Sequence, residues 1–392
     1  MTETVSLLIA IPAYDRPASL SRLLDSLARL ILPAGVVVDL VVSIDQGGDS
    51  RTVQVANQFD WKIGRKQVLQ RQQHLGLRRH IIELGSLLGG KSNYDAMLMV
   101  EDDLLVSPVS LQFAAQALRF YAEQDNIGGI SLYCYDRNEY NYLPFSPLHD
   151  AHDCYFMQVP CSWGQVWTRA QWIAFQTWYE HNQQRIPSVT DRLPAAMVAW
   201  ASSSWKKYFA WYLLETNRYI VYPRVSYSTN FSEPGTHQIG VQDYYQVPLA
   251  REFQAPRLCT LDQSRSVYDM HFEPENAKCG IYADDQLSAN SIEFDLYCQK
   301  SAFRKETTHV IGKSPRRPST VIRSWGDRLS PAVNNIIYGI EGQEIYLYPK
   351  SEHQKRGKFG KFINDNPVLM KAGYKQLAAA ATLKLLGKKR GP

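Results

Sequence analysis

The run Met97-Leu98-Met99-Val100-Glu101-Asp102-Asp103-Leu104 constrains this chain more than any other. Four apolar residues in succession read as a buried strand. The run then breaks into three carboxylates. Like charges where a strand surfaces repel one another, and burying them costs free energy unless a cation neutralises them. Hard divalent cations take oxygen ligands, and magnesium is commonly held by one or two carboxylates together with substrate phosphates. A cation and a phosphate-bearing ligand at a strand end are the first expectation. The bland alternative is a solvated acidic turn.

The surrounding pattern supports a ligand site. Residues 5–11 and Val36 to Ile44 are further apolar runs, and between them Leu20, Leu23, Leu24 and Leu27 mark one face of a helix from Ala18 to Leu30. Helices are expected at Thr52 to Phe59 and Gly76 to Leu88, and the next strand at Ala96 to Val100. Continuous apolar strands alternating with helices predict an α/β, mostly parallel central sheet covered on both faces. Such sheets bind ligands beyond the carboxyl ends of their strands. Here those ends carry Asp15-Arg16, Asp45 and Glu101-Asp102-Asp103. Further on, helices are expected at Leu111 to Tyr121, Gln171 to Tyr179 and Ser203 to Asn217, and strands at Gly129 to Tyr133 and Tyr219 to Val225. Residues 135–162 read as an aromatic-rich connection. Beyond residue 255 the pattern becomes short strand-like runs among turns. The expected division is therefore 1–255 as the ligand-binding domain and 256–392 as a smaller mixed α+β appendage.

Composition narrows the class. The net charge of +5 over 392 residues is modest, and no nucleic-acid partner is expected. The 6 cysteines lack CxxC spacing, which argues against structural zinc and a disulfide framework. Met1 to Val5 shows no leader, and no window matches a membrane span, so a cytoplasmic protein with reduced thiols is expected. Gly85-Ser86-Leu87-Leu88-Gly89-Gly90-Lys91-Ser92 fits the letters of a phosphate-binding loop, but a helix precedes it and a strand follows. That order is the reverse of what the mechanism requires. The glycines read as a helix end and turn.

The succession Ile11-Pro12-Ala13-Tyr14-Asp15-Arg16, Ser43-Ile44-Asp45-Gln46-Gly47 and Val100-Glu101-Asp102-Asp103-Leu104 resembles glycosyltransferases of the GT-A fold. It is similar in order and spacing to family 2 enzymes and to N-acetylglucosaminyltransferase I, over roughly the first 240 residues. The resemblance implies a metal-binding DXD-type motif, with Asp103 holding Mn2+ or Mg2+ against the diphosphate of a nucleotide-sugar donor, a UDP-sugar first of all. It implies Asp102 at the ribose or the metal shell and Glu101 facing the transferred sugar. Arg16 and Asp45 would hold the nucleobase and ribose. Arg78 or Arg79 would approach the diphosphate, a task suited to the planar guanidinium fork.

Three further stretches bear on this expectation. Pro160-Cys161-Ser162-Trp163-Gly164, with Trp172 and Trp178 nearby, offers flat apolar faces for a sugar at Trp163, or else a tryptophan core. Ser226 to His237 resembles the loop that closes over the donor, with His237 a candidate metal ligand. In the resembling inverting enzymes a carboxylate base precedes a Trp at the start of the acceptor-side helix. Here that place reads Ser202-Ser203-Ser204-Trp205. Serines cap helices well but are poor bases. Asp191 is the favoured substitute, ahead of Asp153. The C-terminal Lys371, Lys375, Lys384, Lys388, Lys389 and Arg390 would permit peripheral association with a membrane surface through a basic helix.

The expectation is a metal-dependent, inverting glycosyltransferase of polysaccharide biosynthesis acting on a glycan or glycolipid acceptor. Its rivals are a sugar-phosphate nucleotidyltransferase and a non-catalytic binder of nucleotide-sugars or carbohydrates. The first would want a glycine-rich basic loop after the first strand, where Asp15-Arg16-Pro17 stands.

Overall fold

The computed structural model describes residues 4–354 apart from 91, 232–242 and 315. His237 and the basic C-terminal stretch lie outside the described residues. In chain order the elements are β1 (Val5–Ala13), α1 (Pro17–Leu27), β2 (Val36–Ile44), α2 (Ser50–Gln58), β3 (Lys66–Gln70), α3 (Gly76–Gly85), β4 (Ala96–Met99) and β5 (Leu104–Val106). There follow α4 (Ser110–Tyr121), β6 (Ile127–Ser131), β7 (Cys154–Met157), β8 (Gln165–Thr168), α5 (Arg169–Asn182), α6 (Ala195–Val198), α7 (Trp205–Glu215), β9 (Tyr219–Pro223), β10 (Ser228–Asn230) and β11 (Val267–Tyr268). The last strands are β12 (Ile292–Asp295), β13 (His309–Gly312), β14 (Arg323–Trp325) and β15 (Ile345–Pro349).

The central sheet runs β11-β7-β9-β6-β8-β4-β1-β2-β3. β3, β2, β1 and β4 are parallel neighbours. β8 enters antiparallel between β4 and β6, and β7 pairs antiparallel with β9. The sheet is thus mostly parallel and flanked by helices, as expected. A separate four-stranded sheet, β12-β13-β15-β14, forms near the C-terminal end of the described chain. β11 lies past residue 255 and adds to the edge of the central sheet through β7.

Burial explains which elements were legible. β1 alternates between two cores: Leu7, Ile9 and Ile11 join α1 and α4 on one face, while Leu8 and Ala10 join α3, α5 and α7 on the other. A strand buried on both faces reads as a continuous apolar run. Helix α1 begins with Pro17, whose fixed φ suits the first helical position. Its Leu20, Leu23, Leu24 and Leu27 are all buried. β3 was not foreseen, because this edge strand is Lys-Gln-Val-Leu-Gln. Polar edges are how sheets discourage further pairing. β7 and β8 are short, aromatic and only four residues each. Ser86–Leu88 is a single 3-10 turn between α3 and β4, so the phosphate-loop letters are indeed a helix end. Cys154 and Cys259 bring their sulfurs to 3.7 Å without bonding. Among the described residues, no helix is long and apolar enough to cross a membrane.

The second core is aromatic. Trp167 and Trp172 meet edge to face at 4.9 Å, with Phe175 and Phe209 against them. Both tryptophans are fully buried, so Trp172 is a core residue. The fit leaves no slack at Gly85, where a Cβ would come within 1.7 Å of the Trp172 ring. Gly85→Ala is expected to cost about 1–3 kcal/mol by overpacking. Urea unfolding of the variant, with an unchanged midpoint as the contrary result, checks this.

Candidate functional site at the carboxyl edge of the sheet

The parallel register brings three chain segments to one edge. Ala13 pairs with Ile44, and Ala10 with Met99. The Val100 N–H donates to Ala10 O at 3.1 Å and the Asp45 N–H to Ala13 O at 2.9 Å. Tyr14 to Arg16, Asp45 and Glu101 to Asp103 therefore leave the sheet together, as the strand ends predicted.

Arg16 precedes α1 at its N-cap and its side chain makes no cap hydrogen bond. The side chain turns instead to the acidic triplet. Its Nη1 donates to Asp103 Oδ2 at 2.9 Å, and its Nη2 pairs with Asp102 Oδ1. The cation that the sequence demands is supplied, in part, by the protein itself. Burial pulls the Arg16 pKa down, but Asp102, Asp103 and Glu101 outweigh it and raise it above the ordinary value.

One guanidinium does not balance three carboxylates. Burial pushes Glu101 up to about 8, with Asp103 and Asp102 adding to it against Arg16 and Lys206. Burial likewise pushes Asp102 up to about 7, opposed by Arg16 and helped by Asp103. The triplet thus sheds charge by taking up protons, the usual escape of an under-compensated buried cluster. The Asp103 Oδ1 atom is buried and has no hydrogen-bond partner among the described residues. An orphaned carboxylate oxygen fits an oxygen-loving cation such as Mg2+ or Mn2+. Among the described residues, no three His, Cys, Asp or Glu side chains surround a common metal position. The fit is to a cation held by Asp103 and completed by phosphate oxygens rather than by a protein cage.

Asp45 takes a different part. It is 5% exposed and accepts from the N–H groups of Leu75 (2.8 Å), Gly76 (2.9 Å) and Gln46 (2.9 Å). Burial would raise its pKa, but these donors, with His80, hold the carboxyl below its usual range. A carboxylate at the start of α3 is favoured by the helix dipole. His74 lies at 3.1 Å from Asp45 and packs its ring 5.2 Å from that of Tyr14. Gly47 sits at φ +92°, and a Cβ on Gly48 would come within 2.1 Å of Tyr14 O. The turn after β2 and the turn after β1 can lie this close only with glycine there. Behind them His80 Nε2 meets Ser43 Oγ at 2.7 Å, and burial, with Arg71 and His74, pushes its pKa down to about 4.

Other expected residues lie as follows. Arg78 stacks over the Tyr208 ring at 4.9 Å, against α7. Arg79 pairs with Glu83 at 2.8 Å on the exposed face of α3. Asp191 accepts the Ser188 N–H at 2.8 Å in a small capping box. None of its described contacts is with the acidic triplet. Asp153 pairs with Arg257 at 3.3 Å.

Trp163 does reach the edge. Gln165 pairs with Met99 across the antiparallel β4–β8 ladder. Trp163 lies two residues before that pair, just ahead of the start of β8. Gly164 makes the turn at φ +89°. Around Trp163 stand Tyr133 at 4.7 Å, Tyr245 at 5.0 Å and Tyr135 at 6.1 Å. The Lys206 ammonium lies 5.6 Å from the Trp163 ring and 5.0 Å from that of Trp200. Lys206 pairs with both oxygens of Glu139, at 2.8 and 2.9 Å. Sequence reasoning missed Glu139 and Lys206. Nothing in the local pattern marks Glu139, which sits in the irregular connection before β7.

No family model matches the chain, and no curated protein does. Solved structures do resemble it in part. The S. aureus TarS 1–349 structure in complex with UDP-GlcNAc shares 14% identity at a TM-score of 0.40, covering 59% of this chain and 60% of that one. The same TarS fragment without ligand gives 0.39 and 14% over 57% and 60%. The mannosyltransferase PcManGT from Pyrobaculum calidifontis, in complex with GDP-Man and Mn2+, gives 0.28 and 14% over 35% and 37%. The match thus spans about 60% of the TarS fragment's length.

The raised carboxyls make stability depend on pH with a definite sign. A carboxyl protonated in the folded state and ionised in the unfolded one stabilises below its unfolded pKa, and that contribution is lost as pH rises through the folded value. Metal-free protein is therefore expected to lose stability as pH rises from about 4.5 to 8, through Glu101 and Asp102. Glu101→Gln should flatten the slope of unfolding free energy against pH in EDTA. A slope identical to wild type would show that Glu101 is not the group.

Proposed function

We propose that this protein is a GT-A-like glycosyltransferase that transfers a sugar from a nucleotide-sugar donor. The observation that carries the reading is the meeting of Arg16, Asp45 and Glu101 to Asp103 at the carboxyl edge of β1, β2 and β4, with Asp103 Oδ1 left unpartnered among the described residues. A nucleoside diphosphate brings the anionic oxygens that such an atom, through a cation, requires. Asp103 would hold Mn2+ or Mg2+, which when bound supplies Lewis-acid charge at the departing diphosphate.

The chain's own residues account for the rest of the site. Arg16 neutralises Asp102 and Asp103 in the ligand-free protein. Its fork is of the kind that also pairs with phosphate. The turn of Tyr14, Asp45, Gly47 and His74 forms a wall of ring faces and backbone groups suited to a base and ribose. Trp163, with Tyr133 and Tyr245, supplies apolar ring faces to the CH side of a sugar beside Glu101. An acceptor hydroxyl, from a glycan or glycolipid, would approach from this aromatic side. On this reading residues 1–255 carry the site, and β11, beyond that boundary, adds to the edge of the sheet. Cytoplasmic location, a UDP-linked donor and an inverting outcome complete the proposal.

The direct test is calorimetric titration with UDP and with GDP, each with and without Mn2+. Binding of one nucleotide that strengthens with Mn2+ is expected. Asp103→Ala should lose the metal-dependent part, at least tenfold in affinity, with its circular dichroism unchanged. Undiminished Mn2+-dependent binding in the folded variant would sink the assignment.

A further inference from the structure

We infer that Glu139 is the general base that takes the proton of the acceptor hydroxyl, with Lys206 its positioning residue. This rests on the donor site proposed above and supplies what the sequence lacks there. The resemblance places a base before the Trp that opens the acceptor-side helix, where Ser203 and Ser204 stand before Trp205. The structure brings a carboxylate to the first turn of α7 from elsewhere in the chain. Lys206, in the first turn of α7, holds Glu139 at 2.8 and 2.9 Å across 67 residues of sequence.

Four observations bear on the role. First, the pair borders the proposed donor site: the Lys206 ammonium lies 5.6 Å from the Trp163 ring. Second, Glu139 is held rigidly. Asn138 is fully buried, its N–H donates to Leu143 O at 2.9 Å, and its Oδ1 accepts the Tyr140 N–H at 2.8 Å. Third, the side chain is 6% exposed, which excludes bulk water from most of its surface while leaving some of it open. Fourth, its lone pairs are not all used. Oε1 accepts from Tyr135 Oη at 2.5 Å and from Lys206, and among the described residues Oε2 accepts from Lys206 alone. A carboxylate has about four acceptor positions, so Oε2 retains one for a donor hydroxyl. Asp191 and Asp153 each have a backbone N–H to hold and no described contact with Trp163 or the triplet.

The step balances without further reagents. The acceptor O–H proton passes to Glu139 Oε2 as the acceptor oxygen forms its bond to the anomeric carbon. The bond from that carbon to the diphosphate oxygen breaks, and its electron pair leaves with the nucleoside diphosphate. Water in place of the acceptor gives donor hydrolysis by the same transfer. Lys206 holds the carboxylate oriented until the proton arrives, the arrangement a positioned base needs.

The test uses the full chain, nucleotide titration as above, and nucleoside diphosphate release from a panel of UDP- and GDP-sugars with water as acceptor. Glu139→Gln keeps the shape of the side chain and one acceptor oxygen for Lys206 and Tyr135. It should bind nucleotide within about twofold of wild type and lower kcat by about 100-fold or more, the range of a lost general base. Glu139→Ala should regain part of its rate in sodium formate, which a merely structural residue would not show. Asp191→Asn should stay near wild type. A kcat within about twofold of wild type in folded Glu139→Gln overturns the assignment, as does loss in Asp191→Asn alone. Wild type that binds nucleotide but releases none from any donor is a binder, which overturns base and enzyme together. Wild type that binds neither nucleotide overturns the donor site itself.

Discussion

The contact on which the site depends is the fork of Arg16 onto Asp102 and Asp103. Parallel strands deliver their carboxyl ends to one edge, and here that delivery crowds acidic groups into a half-buried place. Two unit charges 4 Å apart at an effective dielectric near 20 interact by about 4 kcal/mol. That is comparable with the whole stability of many domains. The triplet is tenable only because one guanidinium lies against it and because Glu101 and Asp102 take up protons. A deficit of positive charge remains, with Asp103 Oδ1 unpartnered among the described residues.

The second structural decision is the antiparallel insertion of β8 between β4 and β6. It turns the carboxyl edge into a two-sided site. One side is polar and built from the turns after β1, β2 and β4. The other is aromatic, from Trp163, Tyr133 and Tyr245, and carries the buried Glu139–Lys206 pair. The sides meet at Trp163, just ahead of the start of β8. A sugar spanning this junction would have its charged leaving group on one side and its incoming nucleophile on the other.

Much of the first side was legible in the sequence. β1, β2 and β4 are buried on both faces, and their apolar runs end abruptly at charged residues, so the position of those residues could be read directly. The second side was not legible. β7 and β8 are too short to show periodicity, and Glu139 reaches α7 only because residues 135–162 fold back over it. Charge was a poor guide on α3. Arg78 and Arg79 look alike in sequence, yet one stacks on Tyr208 and the other pairs with Glu83 in solvent. Adjacent helix positions point about 100° apart, and only the neighbours decide what each meets.

The sequence by itself determined the α/β alternation, the strand ends that bear the acids and the need for a countercharge. Those follow from local rules, namely apolar runs, helical periodicity and the cost of burying like charges. Tertiary structure alone decided that Arg16 supplies that charge, that Asp45 is spent on the backbone of Leu75 and Gly76, and that Glu139 stands at the start of α7. Each of these is a pairing across 30 to 87 residues of chain, set by the order of strands in the sheet. No local pattern encodes that order.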